Sequence, residues 1–270
     1  MLLWALHLPA DELDLWLDAS VLPEERRAIV DLIERRCSSR LPAPYLTGES
    51  WLRGICFRSD ARALVPRSLI AEALDSSLSD YLQHFPRPDA WPRSILDLCT
   101  GGGSLAVLAA LRYPQSQVSA SDLSREALDL ARENVSLHGL EGRISLHQGD
   151  LFQALAGQRF DLVLCNPPYV CEASMQRLPA EYLAEPRMAL AGGEDGMDIV
   201  RRILDGAASF LSDEGLLLIE IGHEAEHFER AFPKLEFMYL PVEAGEQMLV
   251  LVEARALQTT HRKPGRRRAQ

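Results

Sequence analysis

Near the middle of this chain the apolar run FDLVLC ends in four residues that can do chemistry together: Asn166, Pro167, Pro168 and Tyr169. Two prolines fix φ and withhold two N–H groups, so the turn is stiff and its carbonyls face outward. Asn166 brings a side-chain amide oxygen and Pro167 a backbone carbonyl, both acceptors. Two acceptors in one rigid frame can grip both hydrogens of a planar –NH₂, and Tyr169 adds a flat face to pack on that plane. An amide nitrogen is a poor nucleophile. A grip that aligns it with the methyl of a sulfonium cofactor supplies orientation, the largest contribution available to such a transfer. A plain proline turn closing a strand is the bland alternative. Its place at a carboxyl strand end, where open α/β sheets bind ligands, argues for the chemical reading.

A second constellation lies upstream. The strand pattern SILDL runs into Cys99, Thr100, Gly101, Gly102 and Gly103, a turn in which missing Cβ atoms let a ligand approach the backbone. About twenty residues on, Asp122 and Leu123 close the next strand, where a carboxylate can accept both ribose hydroxyls. Asp150 and Leu151 close the third and are placed to flank an adenine ring. Taken alone, Asp122 or Asp150 is equally an ordinary helix cap. Gly101, Gly103 and Ala106 match the dinucleotide fingerprint, which three consecutive glycines satisfy easily. Asp97, four residues before the glycines, instead fits the Asp-x-x-x-Gly-x-Gly turn seen in class I methyltransferases, with the acid holding the cofactor's amino-acid portion. The glycine turn alone leaves the two cofactors open, and the NPPY turn decides for the sulfonium.

Positioning these groups requires a particular scaffold. Strand patterns fall at 94–98, 117–121, 144–148, 160–165 and 215–221, with further ones near 235–240 and 247–252. Helical patterns fall at 103–112, 124–138 and 196–211. The alternation predicts parallel strands joined by right-handed crossovers in a doubly wound sheet. Upstream, Leu13, Leu17, Val21, Ile29, Leu32 and Ile33 recur with helical spacing, and Pro23 before two glutamates marks a helix start. A hairpin-like stretch at 45–65, a helical one at 68–83 and the proline-rich FPRPDAWP (85–92) lead into the sheet.

Composition narrows the partners. The formal net charge is −11, and the stretch HRKPGRRR (261–268) holds five of the 28 basic residues. The rest of the chain therefore carries 23 basic against 39 acidic groups, −16, which offers no basic groove for a nucleic acid. An adenine-N6 methyltransferase, whose target is also a planar –NH₂, is disfavoured on that ground. Contact with nucleic acid is expected only incidentally, through the basic tail or the substrate. Five cysteines without CxxC spacing predict reduced thiols in a cytoplasmic protein. The apolar start is cut by Pro9 and Asp11, so neither a signal peptide nor a membrane span is expected. His223, Glu224 and His227 complete an HExxH pattern. It directly follows a strand and lacks a convincing third ligand, so no metal is expected there.

The stretches YLTGE (45–49), LVPRS (64–68), the Asp97–Gly103 turn, NPPY (166–169), EPR (185–187) and GGEDG (192–196) together resemble the bacterial protein-(glutamine-N5) methyltransferases. Within them, the Cys-Thr-Gly turn and residues 170–204 look most like the branch that methylates the third large-subunit ribosomal protein. The sister branch acts on the Gly-Gly-Gln loop of release factors. The resemblance implies a Rossmann-like class I α/β fold with a seven-stranded, mostly parallel sheet and a small helical N-terminal domain. It implies a substrate-docking domain at 1–60 and an S-adenosylmethionine domain at 93–254; the residue pattern places a linker at 61–92 between them, and the basic composition predicts a disordered tail at 255–270, which the family pattern does not include. Asp97, Cys99 to Gly103, Asp122, Leu123, Asp150, Leu151 and Asn166 would contact the cofactor. Asn166, Pro167 and Tyr169 would be catalytic, and Asn166 through Tyr169 would hold the glutamine of a protein substrate.

Overall fold

A computed structural model describes residues 1–10, 12–84 and 91–261. Two strands, β1 (Glu49–Leu52) and β2 (Ile55–Arg58), form an antiparallel hairpin. Seven more make the main sheet: β3 (Ser94–Leu98), β4 (Gln117–Asp122), β5 (Ile144–Gln148), β6 (Phe160–Cys165), β7 (Leu211–Glu220), β8 (Met238–Val242) and β9 (Gly245–Glu253). Their spatial order is β5-β4-β3-β6-β7-β9-β8, parallel throughout except for β9, which runs against both its neighbours. The chain steps outward from β3 to β5 and then returns to β6 on the other side of β3. That reversal opens a crevice beyond the carboxyl ends of β3 and β6.

The strands are buried on both faces, as parallel strands with covering helices must be. Alternate residues join different layers: Ile95, Leu162 and Leu164 pack into one, Leu96, Val163 and Cys165 into the other. Helices Ser104–Arg112 and Arg125–Leu137 connect the strands on one arm, and Asp198–Ala207 leads from β6 to β7. In the last, Val200, Ile203, Leu204 and Ala207 are buried at i, i+3, i+4 and i+7. Ser124 caps Arg125–Leu137 by accepting the Ala127 N–H at 3.1 Å.

Three boundaries differ from the sequence expectation. Residues 61–84 do not behave as a linker: helices Ile70–Ala73 and Ser77–His84 bury Ile70, Leu74 and Leu78 fully against Ile95 and Leu105 of the sheet layer. The hairpin, placed by expectation in the docking domain, also belongs to that layer. Phe57 is fully buried beside the His138 ring, and Asn134 bonds both the N–H and the carbonyl of Arg58. At the other end, residues 254–261 form a helix whose Ala254, Ala256 and Leu257 enter the second layer, so the tail does not begin at 255. The basic stretch 262–268 and most of the proline-rich joint (85–90) lie outside the described residues. The N-terminal segment forms short helices Leu2–Ala5 and Leu13–Trp16 and the longer Pro23–Ser39, which starts at Pro23 as its sequence predicts. Of its apolar residues only Leu3 and Leu32 are buried.

Candidate active site

A cavity of about 330 Å³ occupies the crevice at the ends of β3, β4 and β6, the size class of small-molecule sites. Of the residues singled out from the sequence, Asp97, Cys99, Thr100, Gly101, Gly102, Asp122, Leu123, Asp150, Leu151, Asn166 and Pro168 line it; Gly103, Pro167 and Tyr169 adjoin these in the chain without lining it themselves. Gly103 serves packing instead: a Cβ there would lie 3.1 Å from that of Ala131, and its φ is +81°.

At the β3 end, the Asp97 Oδ2 accepts the Thr100 hydroxyl at 2.5 Å and the Ala106 N–H at 2.9 Å. Its other oxygen is buried without a partner among the described residues, as is the Ser121 hydroxyl, and both residues line the cavity. An orphaned carboxylate oxygen on a cavity wall is costly unless a ligand completes it, and an ammonium group would. Burial pushes the Asp97 carboxyl up to about 7, against the pull of its Thr100 and Ala106 bonds, with Asp122 nearby adding to the rise. Asp122 accepts the Gly101 N–H at 2.8 Å through one oxygen and the Ser124 N–H at 2.8 Å through the other. It thereby fixes the glycine turn, and burial raises its pKa too. Beyond β5, Leu151 lies at φ +52°, a strained conformation for a leucine and one that clusters at ligand sites. Asp150 pairs with Arg202 at 2.7 Å.

At the β6 end, the Asn166 side chain forms no hydrogen bond among the described residues, and the Pro167 and Pro168 carbonyls accept none. Tyr169 departs from expectation. Its hydroxyl turns inward and donates to Glu220 Oε1 at 3.0 Å, and burial drives its pKa upward. Three glycines make room for it: a Cβ on Gly222 would meet the Tyr169 ring at 2.6 Å, and Cβ atoms on Gly192 and Gly196 would strike its backbone. The ring is therefore an anchor of the turn, not a free face beside the substrate.

The remaining walls come from segments that the sequence marked without assigning a role. Residues 62–68 and 186–191 roof the cavity. Glu185, nearly fully buried, binds them together by accepting the Val65 N–H at 3.0 Å and pairing with Arg67 at 2.7 Å. Arg67 also lies over the Tyr182 ring, 4.7 Å from its centre. Tyr45 of the YLTGE stretch donates to the Ala63 carbonyl at 2.6 Å. Three of the marked stretches thus meet in one roof. Glu220 was missed altogether. The signal was available: one acid closing the buried apolar run LLLI at the carboxyl end of β7.

The HExxH pattern does not form two histidines on one helix, because the helix begins at Ala225, after His223. Among the described residues, the one metal-ligand grouping joins Cys171, Glu224 and His227. Glu224 and His227 bond each other at 2.6 Å, and the Cys171 thiol donates to Ser174 at 3.3 Å.

Comparison with known proteins shows the family and the fold. The family model for the methyltransferase small domain matches residues 70–193. A Bordetella pertussis protein named ribosomal protein uL3 glutamine methyltransferase is 53% identical over 93% of this chain and 83% of its own length. A Burkholderia pseudomallei protein of the same name is 47% identical over 95% and 85%. The chain belongs to the uL3 glutamine methyltransferase family. It is therefore an S-adenosylmethionine-dependent methyltransferase. Among solved structures, a methyltransferase of Pyrococcus furiosus matches with a TM-score of 0.51 at 14% identity, over 84% of this chain and 98% of that one. The hMettl16 catalytic domain matches at 0.53 and 15%, over 86% and 80%. At such identities these two share the fold: a class I methyltransferase sheet. The donor set suits the family's cofactor: Asp97, with one oxygen unpartnered among the described residues, could take an ammonium group, and Asp122 would be the carboxylate nearest a ribose. Among the described residues, no helix is long and apolar enough to cross a membrane.

Proposed function

We propose that this methyltransferase modifies the side-chain amide nitrogen of a glutamine in ribosomal protein uL3, in the cytoplasm. The observation that carries the reading is Asn166: a side chain on the cavity wall with no protein partner, beside proline carbonyls that accept nothing, in a family whose members bear that substrate in their names. The bound cofactor supplies an electrophilic methyl. The chain's own part is to hold the nucleophile. Asn166 Oδ1 and the Pro167 carbonyl accept the two amide hydrogens, and the proline rings keep both acceptors fixed. Held this way, the amide gains orientation that free solution does not give it. One of those hydrogens leaves as a proton once the nitrogen is methylated, and solvent takes it up. The helices that end at Thr47, within the segment 1–60 expected to dock a partner, are the surface proposed to meet the substrate protein, with Leu15, Trp16 and Leu17 exposed between Asp14 and Asp18.

The test is methyl transfer from radiolabelled S-adenosylmethionine into ribosomal fractions and release factors taken from a strain lacking this enzyme. Label in uL3, mapped to a glutamine, is the expected result. Label in a release factor keeps the chemistry and changes the substrate. Label only in nucleic acid overturns the glutamine reading.

A further inference from the structure

Glu220 closes β7 with 3% of its surface exposed. Among the described residues no cation is paired with it; three neutral donors face it instead. The Ser68 hydroxyl donates at 2.6 Å and the Leu69 N–H at 2.9 Å to one oxygen, and the Tyr169 hydroxyl donates at 3.0 Å to the other. Burying a carboxylate without a counter-charge is unfavourable, and an apolar residue of like size would pack there more readily. The position therefore needs an acceptor. The two donors on Oε2, Ser68 and Leu69, stand at the end of the roof segment, immediately before helix Ile70–Ala73. The donor on Oε1 is the last residue of NPPY. One carboxylate thus ties the end of the roof segment 62–68 to the turn that carries Asn166.

We infer that Glu220 is a positioning residue for methyl transfer, fixing the Tyr169 ring in its glycine cradle and so the direction in which the Asn166 amide and the Pro167 carbonyl point. The inference rests on the amide-grip reading above and deepens it. Tyr169 can move toward the cavity only by breaking its bond to Glu220. It cannot settle deeper, because Gly222 already lies against its ring and Gly192 and Gly196 against its backbone. With the hydroxyl held and the backbone walled in, the two proline carbonyls between Asn166 and Tyr169 have one arrangement. A merely structural Glu220 would stabilise the fold and leave turnover alone. A positioning Glu220 acts on kcat through Tyr169.

The experiment measures kcat and KM with purified uL3, and S-adenosylmethionine affinity by calorimetry, for Glu220→Gln, Tyr169→Phe and the double variant. Each single change is expected to lower kcat about tenfold with cofactor affinity held within about twofold, and the double to lose no more than the worse single, since groups acting as a unit are non-additive. A second readout is the ¹⁹F spectrum of protein labelled with 3-fluorotyrosine, in which the Tyr169 line, assigned by its loss in Tyr169→Phe, shifts in Glu220→Gln. Ser68→Ala removes one of the three donors and serves if Glu220→Gln does not fold; it is expected to move the same line and lower kcat about threefold. Multiplicative losses in the double variant, a normal kcat in Glu220→Gln or an unmoved line would overturn the inference. Asn166→Ala, run in parallel, separates the two claims. Full turnover there defeats the amide grip itself, whereas a dead Asn166→Ala beside a normal Glu220→Gln defeats only the role of Glu220.

Discussion

The two halves of the cavity are built in opposite ways. At the ends of β3 and β4 the acids are already engaged with the chain: Asp97 holds Thr100 and Ala106, and Asp122 holds Gly101 and Ser124. At the end of β6 the acceptors make no hydrogen bond among the described residues. Asn166 and the two proline carbonyls are instead kept in place from behind, by ring constraint and by the anchored Tyr169. The cofactor half presents one spare oxygen on a hydrogen-bonded frame. The amide half presents its whole hydrogen-bonding capacity on a frame of prolines. A half that shapes itself should govern affinity, and a half that waits for the substrate should govern turnover.

The largest expected effect tests the amide half. Asn166→Ala removes a side chain that makes no hydrogen bond among the described residues, so kcat should fall about 10²- to 10³-fold, as on loss of one polar contact to the reacting group. Cofactor affinity by calorimetry should stay within a few-fold. Equal losses in both would erase the contrast between the halves.

The next effect belongs to Asp97. Its carboxyl is pushed up to about 7 by burial, so near neutrality it is only partly ionised before the cofactor binds. A cationic ammonium favours the ionised form, and S-adenosylmethionine affinity should therefore rise as pH increases from 6 to 8, by up to about tenfold for one linked proton. Calorimetry in two buffers of different ionisation enthalpy should detect the released proton, and Asp97→Asn should flatten the profile. For the empty protein the sign is opposite. A carboxyl with a raised folded-state pKa binds its proton more tightly when folded, so its contribution to stability falls as pH rises from about 4 to about 7. An affinity that does not change with pH would mean that Asp97 does not meet the ammonium.

The same contrast explains what the sequence made legible. Strand–helix alternation exposes the sheet, because parallel strands are nearly continuous apolar runs and their crossovers have helical period. Asp97 and NPPY stand out because polar residues at the ends of such runs have no packing reason to be there. Glu220 meets the same criterion in LLLIE, yet its role depends on Ser68 and Tyr169, which come from 152 and 51 residues away. Spacing along one strand carries no trace of them. Residues 70–84 looked like a connector since their burial is supplied by Ile95 and Leu105, again through tertiary contact. The arginines after His261 masked the short helix before them. Conversely, Leu13, Leu17 and Val21 have helical spacing but remain exposed, so periodicity there reports an amphipathic segment rather than a core.

The smallest effect probes how the amide half is held. Gly222 has φ +54°, and a Cβ there would come within 2.6 Å of the Tyr169 ring. Gly222→Ala therefore carries two penalties: about 1 kcal/mol for a left-handed residue with a Cβ, and displacement of the ring toward the cavity. The first lowers the melting temperature without touching chemistry. The second loosens the turn behind Asn166, and kcat should drop about fivefold, less than the loss of Asn166 itself because the acceptors survive and only their direction changes. Since the three atoms nearest a Cβ on Gly222 all belong to the Tyr169 ring and hydroxyl, cofactor affinity should not move. A variant that lost stability alone, with kcat intact at a temperature where it is fully folded, would show that the ring can yield without moving the acceptors. The proline rings would then suffice to aim them.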